Sequence, residues 1–122
     1  EPDPIRIGKD NCDFCKMTIS DSRFGAQIVT NKGKKYKFDD QHCLSQFLHE
    51  DTVKDEDLAG VYFVDFNEPH GFIHSENALY LQSPSLKSPM NGNIAAFNDN
   101  ESLEKAVQKF YGNKITWEEM LK

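Results

Sequence analysis

The segment Ala26-Gln-Ile-Val-Thr-Asn-Lys-Gly-Lys-Lys-Tyr-Lys-Phe-Asp-Asp-Gln-His-Cys-Leu-Ser-Gln-Phe-Leu-His-Glu50 decides the fold. Its first five residues, Ala26 to Thr30, are β-prone. Asn31-Lys32-Gly33 follows with hairpin-turn chemistry, because Asn and Gly accept positive φ. Lys34 to Phe38 is the return strand, with Tyr36 and Phe38 on one face. Asp39 and Asp40 are placed to cap a helix running to about Glu50, whose apolar positions Cys43, Leu44, Phe47 and Leu48 fall at helical spacing. The stretch therefore reads as one ββα unit.

The downstream sequence echoes it. Val61 to Phe66 reads as a buried strand, Glu68-Pro69-His70-Gly71 as a turn, and Phe72 to His74 as a partner strand. Ala78 to Gln82 and Asn93 to Phe97 are further strands, separated by a loop from Ser83 to Asn93 that holds two prolines, Met90 and Gly92. Asn98, Asp99 and Asn100 offer caps for a helix through Tyr111, with Leu103, Ala106, Val107 and Phe110 facing the core and Gly112 as a stop. Thr116-Trp117-Glu118-Glu119 fits a capping box. Phe38-Asp39-Asp40 with Leu44 and Phe97-Asn98-Asp99 with Leu103 form a faint repeat, each a strand running into a helix. The expectation is an α+β fold of two related ββα units around a shared core. It assigns residues 1–10 to a flexible arm and 11–122 to the domain, with possible halves at 11–58 and 59–122.

Composition bounds the function. The chain has 122 residues, is 38% hydrophobic, and contains nine Phe, four Tyr and one Trp, enough apolar surface for a core. Fourteen basic residues against 20 acidic give a net charge of -6, which argues against a nucleic-acid partner. No apolar run approaches the roughly 18 to 20 residues that span a bilayer. The start, Glu1-Pro2-Asp3-Pro4, is polar and Pro-rich, like a tail or the remnant left by a removed export signal.

Sulfur carries the chemistry. Three cysteines stand at 12, 15 and 43. Cys12 and Cys15 read either as a disulfide, with Cys43 an apolar core residue, or as a redox dithiol, which would need a helix N-terminus to acidify it. A structural zinc site lacks a second Cys/His pair at finger spacing. Met17 tips the balance: in an extended Cys15-Lys16-Met17, thiolate and thioether point the same way. Thioether sulfur suits soft Cu(I) and not zinc or magnesium. Met90 in the Pro/Gly loop is a second unusual methionine, whose bland reading is packing onto the core, whereas Met120 reads as core. The four histidines (42, 49, 70 and 74) show no ligand spacing. Asp39-Asp40 is better explained by helix capping than by general-base chemistry, and Ser20 and Ser22 lack triad partners. The expected metal ligands are Cys15, Met17 and Met90, with Cys12 a fourth candidate. The competing reading is a periplasmic thiol-disulfide protein using Cys12 and Cys15.

The run Cys12-Asp-Phe-Cys15-Lys-Met17, with Ile19, Asp21, Phe24-Gly25 and Gln27, opens a wider pattern. It continues through Phe38-Asp39-Asp40, Cys43, Phe47-Leu48, Val64-Asp65-Phe66, Ala78-Leu79-Tyr80, Pro89-Met90-x-Gly92 and Ala96-Phe97. In order and spacing these residues resemble the NosL family, the accessory lipoproteins of nitrous oxide reductase. The resemblance implies an exported protein in the periplasm, held at a membrane by a lipid on an N-terminal Cys that this chain lacks, and folded as two ββα units. It implies a non-enzymatic chaperone that binds one Cu(I) and supplies copper for the reductase's copper-sulfide centre. The family's Cys-x-Met motif carries onto Cys15 and Met17, and its Met-Gly loop onto Met90. Two departures stand out. Many members have one Cys where this chain also has Cys12, and some have a His where this chain has Gly92.

Overall fold

A computed structural model describes residues 2–120; Glu1 of the expected arm and Leu121 and Lys122 of the expected domain lie outside the described residues. Two antiparallel sheets form the frame. The first, in the order β2-β1-β3-β4, contains β1 (Ala26–Thr30), β2 (Lys35–Phe38), β3 (Leu58–Val64) and β4 (Phe72–His74). The second, in the order β6-β5-β7, contains β5 (Leu79–Gln82), β6 (Ile94–Phe97) and β7 (Asn113–Ile115). Helix α1 (Gln41–His49) follows β2 and packs on β1 and β2; α2 (Asn100–Phe110) follows β6 and packs on β5 and β6. A short α3 (Trp117–Met120) ends the described chain. The α+β class is as the sequence indicates; the β1–β2 hairpin runs into α1 and the β5–β6 pair into α2, whereas β3–β4 leads on to β5.

Local chemistry explains the boundaries. The β1–β2 hairpin pairs Ala26 with Phe38 and Ile28 with Tyr36, and Gly33 takes φ 86° in the turn between them. Asp40 caps α1 by accepting from the His42 N–H, and Asp99 caps α2 by accepting from Ser102 N–H. The capping box is present: Thr116 N–H donates to Glu119 Oε1 at 2.9 Å and Glu119 N–H to Thr116 Oγ1 at 3.2 Å.

Side-chain alternation positions the core. One apolar cluster takes Ile28, Phe38, Leu44, Phe47, Val61 and Phe63 from the first sheet and α1, and Tyr80, Ile94 and Ala96 from the second sheet. The alternate residues of the second sheet, Leu81, Ala95 and Phe97, turn to a second cluster with Leu103 and Ala106 of α2. Both faces of β6 are thus buried, which is why its sequence, Ile-Ala-Ala-Phe, has no polar phase. A parallel bridge between Asp65 and Ala96 joins the sheets.

Residues 3–10 lie along the outer face of the first sheet. Buried Gln27 exchanges hydrogen bonds with the Asp3 backbone at 2.9 and 2.7 Å, and Lys37 pairs with Asp10 at 2.9 Å. Strand β7 was not expected from sequence; it pairs Ile115 with Tyr80 on the free edge of β5.

Candidate metal centre

The strand-to-helix turn after β2 builds one wall of the site. Phe38 is anchored in the core, so the next two residues, Asp39 and Asp40, enter the protein rather than solvent; both are buried. One turn into α1, Cys43 is fully buried on the same side as Asp39, four residues earlier.

The N-terminal turn builds the opposite wall. Asn11 and Thr18 form a bridge, and Cys12 N–H donates to Met17 O at 2.8 Å, closing residues 12–17 into a loop. Asp13 staples that loop to β2: its N–H donates to Lys37 O and its carboxylate accepts from Lys37 N–H, each at 2.8 Å. This attachment beside the end of β2 brings Cys12 and Cys15 to Asp39 and Cys43.

One ligand atom from each of Cys12, Cys15, Asp39 and Cys43 lies within 4.8 Å of all the others. The Cys43 thiol is 3.4 Å from Asp39 Oδ1, and the Cys15 thiol is 3.7 Å from both Asp39 oxygens. All three thiols are free of disulfides. Their protonation is divided. A hydrogen bond from Cys43, helped by the backbone N–H groups of Cys15, Asp39 and Phe14, lowers Cys12 to about 6 despite its burial. The Cys12 thiolate in turn pushes Cys43 far up, with burial and Asp39 adding to the effect. Cys15 is raised, first by burial.

The charge balance is the notable property. A buried thiolate and a buried carboxylate face each other, and among the described residues no ion pair reaches Asp39 or Asp40. Anions taken out of water without a counter-charge are costly. A cation bound among these four groups removes that cost, and three sulfurs select a soft ion.

Of the sequence-expected ligands, Cys12 and Cys15 belong to this centre. Cys12 forms its floor and Cys15 its half-buried rim. Met90 is partly buried and packs against the same apolar cluster as Cys12, Cys15 and Cys43. Met17 is 61% exposed. Its backbone faces the Cys15 sulfur, but Lys16 sits at φ 69°, in the left-handed region. The extended geometry expected for Cys15-Lys16-Met17 is therefore replaced by a turn, which directs the thioether to solvent. Sequence reasoning placed Cys43 in the core and gave Asp39 to helix capping. The structure gives capping to Asp40 alone and turns both Asp39 and Cys43 into the thiol cluster. The signal for this was their spacing of four across a helix start.

Among curated proteins none matches the chain. The crystal structure of the copper chaperone NosL from Shewanella denitrificans is similar in fold, with a TM-score of 0.79 at 20% sequence identity, over 98% of this chain and 94% of that one. The NosL family model matches residues 4–122, nearly the whole sequence. The chain belongs to the NosL family.

Proposed function

We propose that this protein carries one Cu(I) ion on the sulfur cluster and delivers it, outside the inner membrane, to nitrous oxide reductase for assembly of the copper-sulfide centre. The observation that supports this most is the convergence of Cys12, Cys15 and Cys43 around buried negative charge that has no cationic partner among the described residues. The likeness to the Shewanella copper chaperone agrees with it. In this reading Cys12 and Cys43 hold the ion from below and Cys15 from the rim. Met90 closes the shell from the loop, and Met17 waits in solvent as an exchangeable thioether. Such an arrangement suits transfer: an acceptor sulfur enters past Cys15 and Met17 before the buried thiolates let go, so free copper never forms. Membrane attachment through an N-terminal lipid belongs to the same reading.

Asp39 favours one alternative cargo. Three thiolates and a carboxylate form a four-donor set suited to tetrahedral Zn(II). The thiol-disulfide reading is less well served, because the acidic thiol, Cys12, is fully buried and the accessible one, Cys15, is raised.

Native mass spectrometry of the reduced protein with Cu(I) or Zn(II), followed by Cu(I) titration against a competing chelator, tests the proposal. We expect one copper per chain, weakened binding in Cys15→Ser and Met90→Leu, and restored activity when loaded protein meets copper-free reductase. Zn(II) binding without Cu(I) binding, or unchanged Cu(I) affinity in both variants, would overturn it.

A further inference from the structure

Asp40 does more than cap a helix. Its carboxylate is fully buried and is met from the opposite half of the chain by three donors of the methionine loop. Met90 N–H donates to Asp40 Oδ2 at 2.6 Å, Ser88 Oγ–H at 2.7 Å and Gly92 N–H at 3.3 Å. The other oxygen accepts from the His42 N–H at 3.2 Å. Residues 88–93 are braced from within by Ser88 N–H to Asn93 Oδ1 at 3.0 Å and Asn93 N–H to Ser88 Oγ at 2.7 Å. The loop thus behaves as a unit hung on one carboxylate, and that carboxylate is the chain neighbour of Asp39 in the thiol cluster.

Gly92 shows how close the approach is. A Cβ added there would lie 2.5 Å from Oδ1 of the fully buried Asp40 and 3.0 Å from the backbone His42 N, closer than side-chain carbons normally come. The Met90-x-Gly92 spacing is therefore the sequence form of this clamp: the glycine admits the carboxylate, and the methionine N–H is gripped by it. No cation neutralises Asp40 among the described residues, so the loop's donors and the start of α1 supply its solvation.

We propose that Asp40 is a positioning residue for cargo binding: it fixes the Met90 loop against the turn that carries Asp39 of the thiol cluster, so that the thioether enters the metal shell already oriented. The inference rests on the copper-carrier reading and specifies how its two sequence-distant halves are held in register. A partner that supplants the loop's three donors would release Met90 and open the shell.

The test is a double-mutant cycle on the whole chain, with Cu(I) affinity read by chelator competition and the number of sulfur neighbours read by X-ray absorption. Asp40→Asn keeps size but sets an amide among donors. It should weaken Cu(I) binding by about 10- to 100-fold, the range for loss of a group that orients a metal ligand. Sulfur coordination should fall by one, as in Met90→Leu. The double variant should be no weaker than Met90→Leu alone, because both changes remove the same ligand. Gly92→Ala, which strikes the clamp from the loop side, should copy Asp40→Asn, and Ser88→Ala, which removes one donor, should fall between. Circular dichroism checks folding, and the two loop variants carry the test if Asp40→Asn does not fold. Wild-type binding with full sulfur coordination in Asp40→Asn or Gly92→Ala, or additive losses in the double variant, would overturn the clamp alone. Absence of Cu(I) binding in the wild type would overturn the copper reading and the clamp with it.

Discussion

Replacing Cys43 with alanine probes the electrostatics of the centre directly. Cys12 is held at about 6, three pH units below the 9.0 of an unperturbed thiol. At about 1.4 kcal/mol per unit, that difference corresponds to roughly 4 kcal/mol in favour of the thiolate. The hydrogen bond from Cys43 is the largest contributor and the backbone donors of Cys15, Asp39 and Phe14 supply the rest. Because Cys43 is the largest contributor, Cys43→Ala should raise Cys12 toward the ordinary thiol value and remove a substantial part of that roughly 4 kcal/mol. Stability follows by linkage. Between about 6 and 9.0 the folded chain carries the Cys12 thiolate and the unfolded chain the thiol. Unfolding then takes up a proton, so stability climbs with pH across this window and is lost as pH falls through the lower value. Cys15 and Cys43 are raised, so above 9.0 they ionise first in the unfolded chain and lower stability as pH rises. The thiols' contribution to the stability of the reduced, metal-free protein should therefore peak near pH 9. Thiolate ultraviolet absorbance gives the ionisation midpoints, and urea midpoints across the same pH range give the stability. Cys12→Ala identifies the acidic group, and Cys43→Ala should flatten the rising limb. An acidic midpoint that survives Cys43→Ala unchanged would refute the assignment of Cys43 as the cause.

Two further outcomes follow from the same structure. Because Cys12 is already ionised near neutrality while Cys15 and Cys43 hold their protons, metal binding at about pH 7.5 should release about two protons. Calorimetry in buffers of different ionisation enthalpy counts them, and release of three would contradict the division described. Gly112 stands at φ 105°, and a Cβ there would overlap the Gln82 carbonyl oxygen and approach Ser83 Cβ to 2.7 Å. Gly112→Ala should cost about 1–3 kcal/mol from backbone strain alone and lower the Tm; an unchanged Tm would show that the turn into β7 relaxes freely.

What could be read from sequence was what local periodicity encodes. Ala26 to Glu50 carries a strand period, a turn and a helix period in succession, and β1, β2 and α1 appear there with boundaries shifted by a residue or so. Thr116 and Glu119 specify their reciprocal bonds by type and spacing. Elements made by tertiary pairing were hidden. Asn113-Lys114-Ile115 has little intrinsic β preference and becomes β7 because β5 offers an unpaired edge. The same limit applied to the site. Cys43 reads as a small apolar residue on a helix face until the 12–17 loop is seen docked on the end of β2. The placement of Met17 turned on one dihedral, at Lys16, which sequence does not announce.

The two adjacent carboxylates show why burial and function coincide here. Each of Asp39 and Asp40 would ordinarily be left at the surface, where solvation is free. Phe38, fully buried, draws the turn inward instead, and the fold must then satisfy both anions. It does so by different means. Asp40 receives its donors from α1 and from the methionine loop, and so becomes a joint between the two halves. Asp39 has, among the described residues, only long thiol contacts at 3.4 to 3.7 Å, and the Cys43 proton is shared with the Cys12 thiolate, so the carboxylate remains under-solvated. The first carboxylate is stabilised by the fold itself, the second by nothing comparable. That inequality between neighbours concentrates negative charge beside the thiols, so the pull on a soft cation would be greatest there.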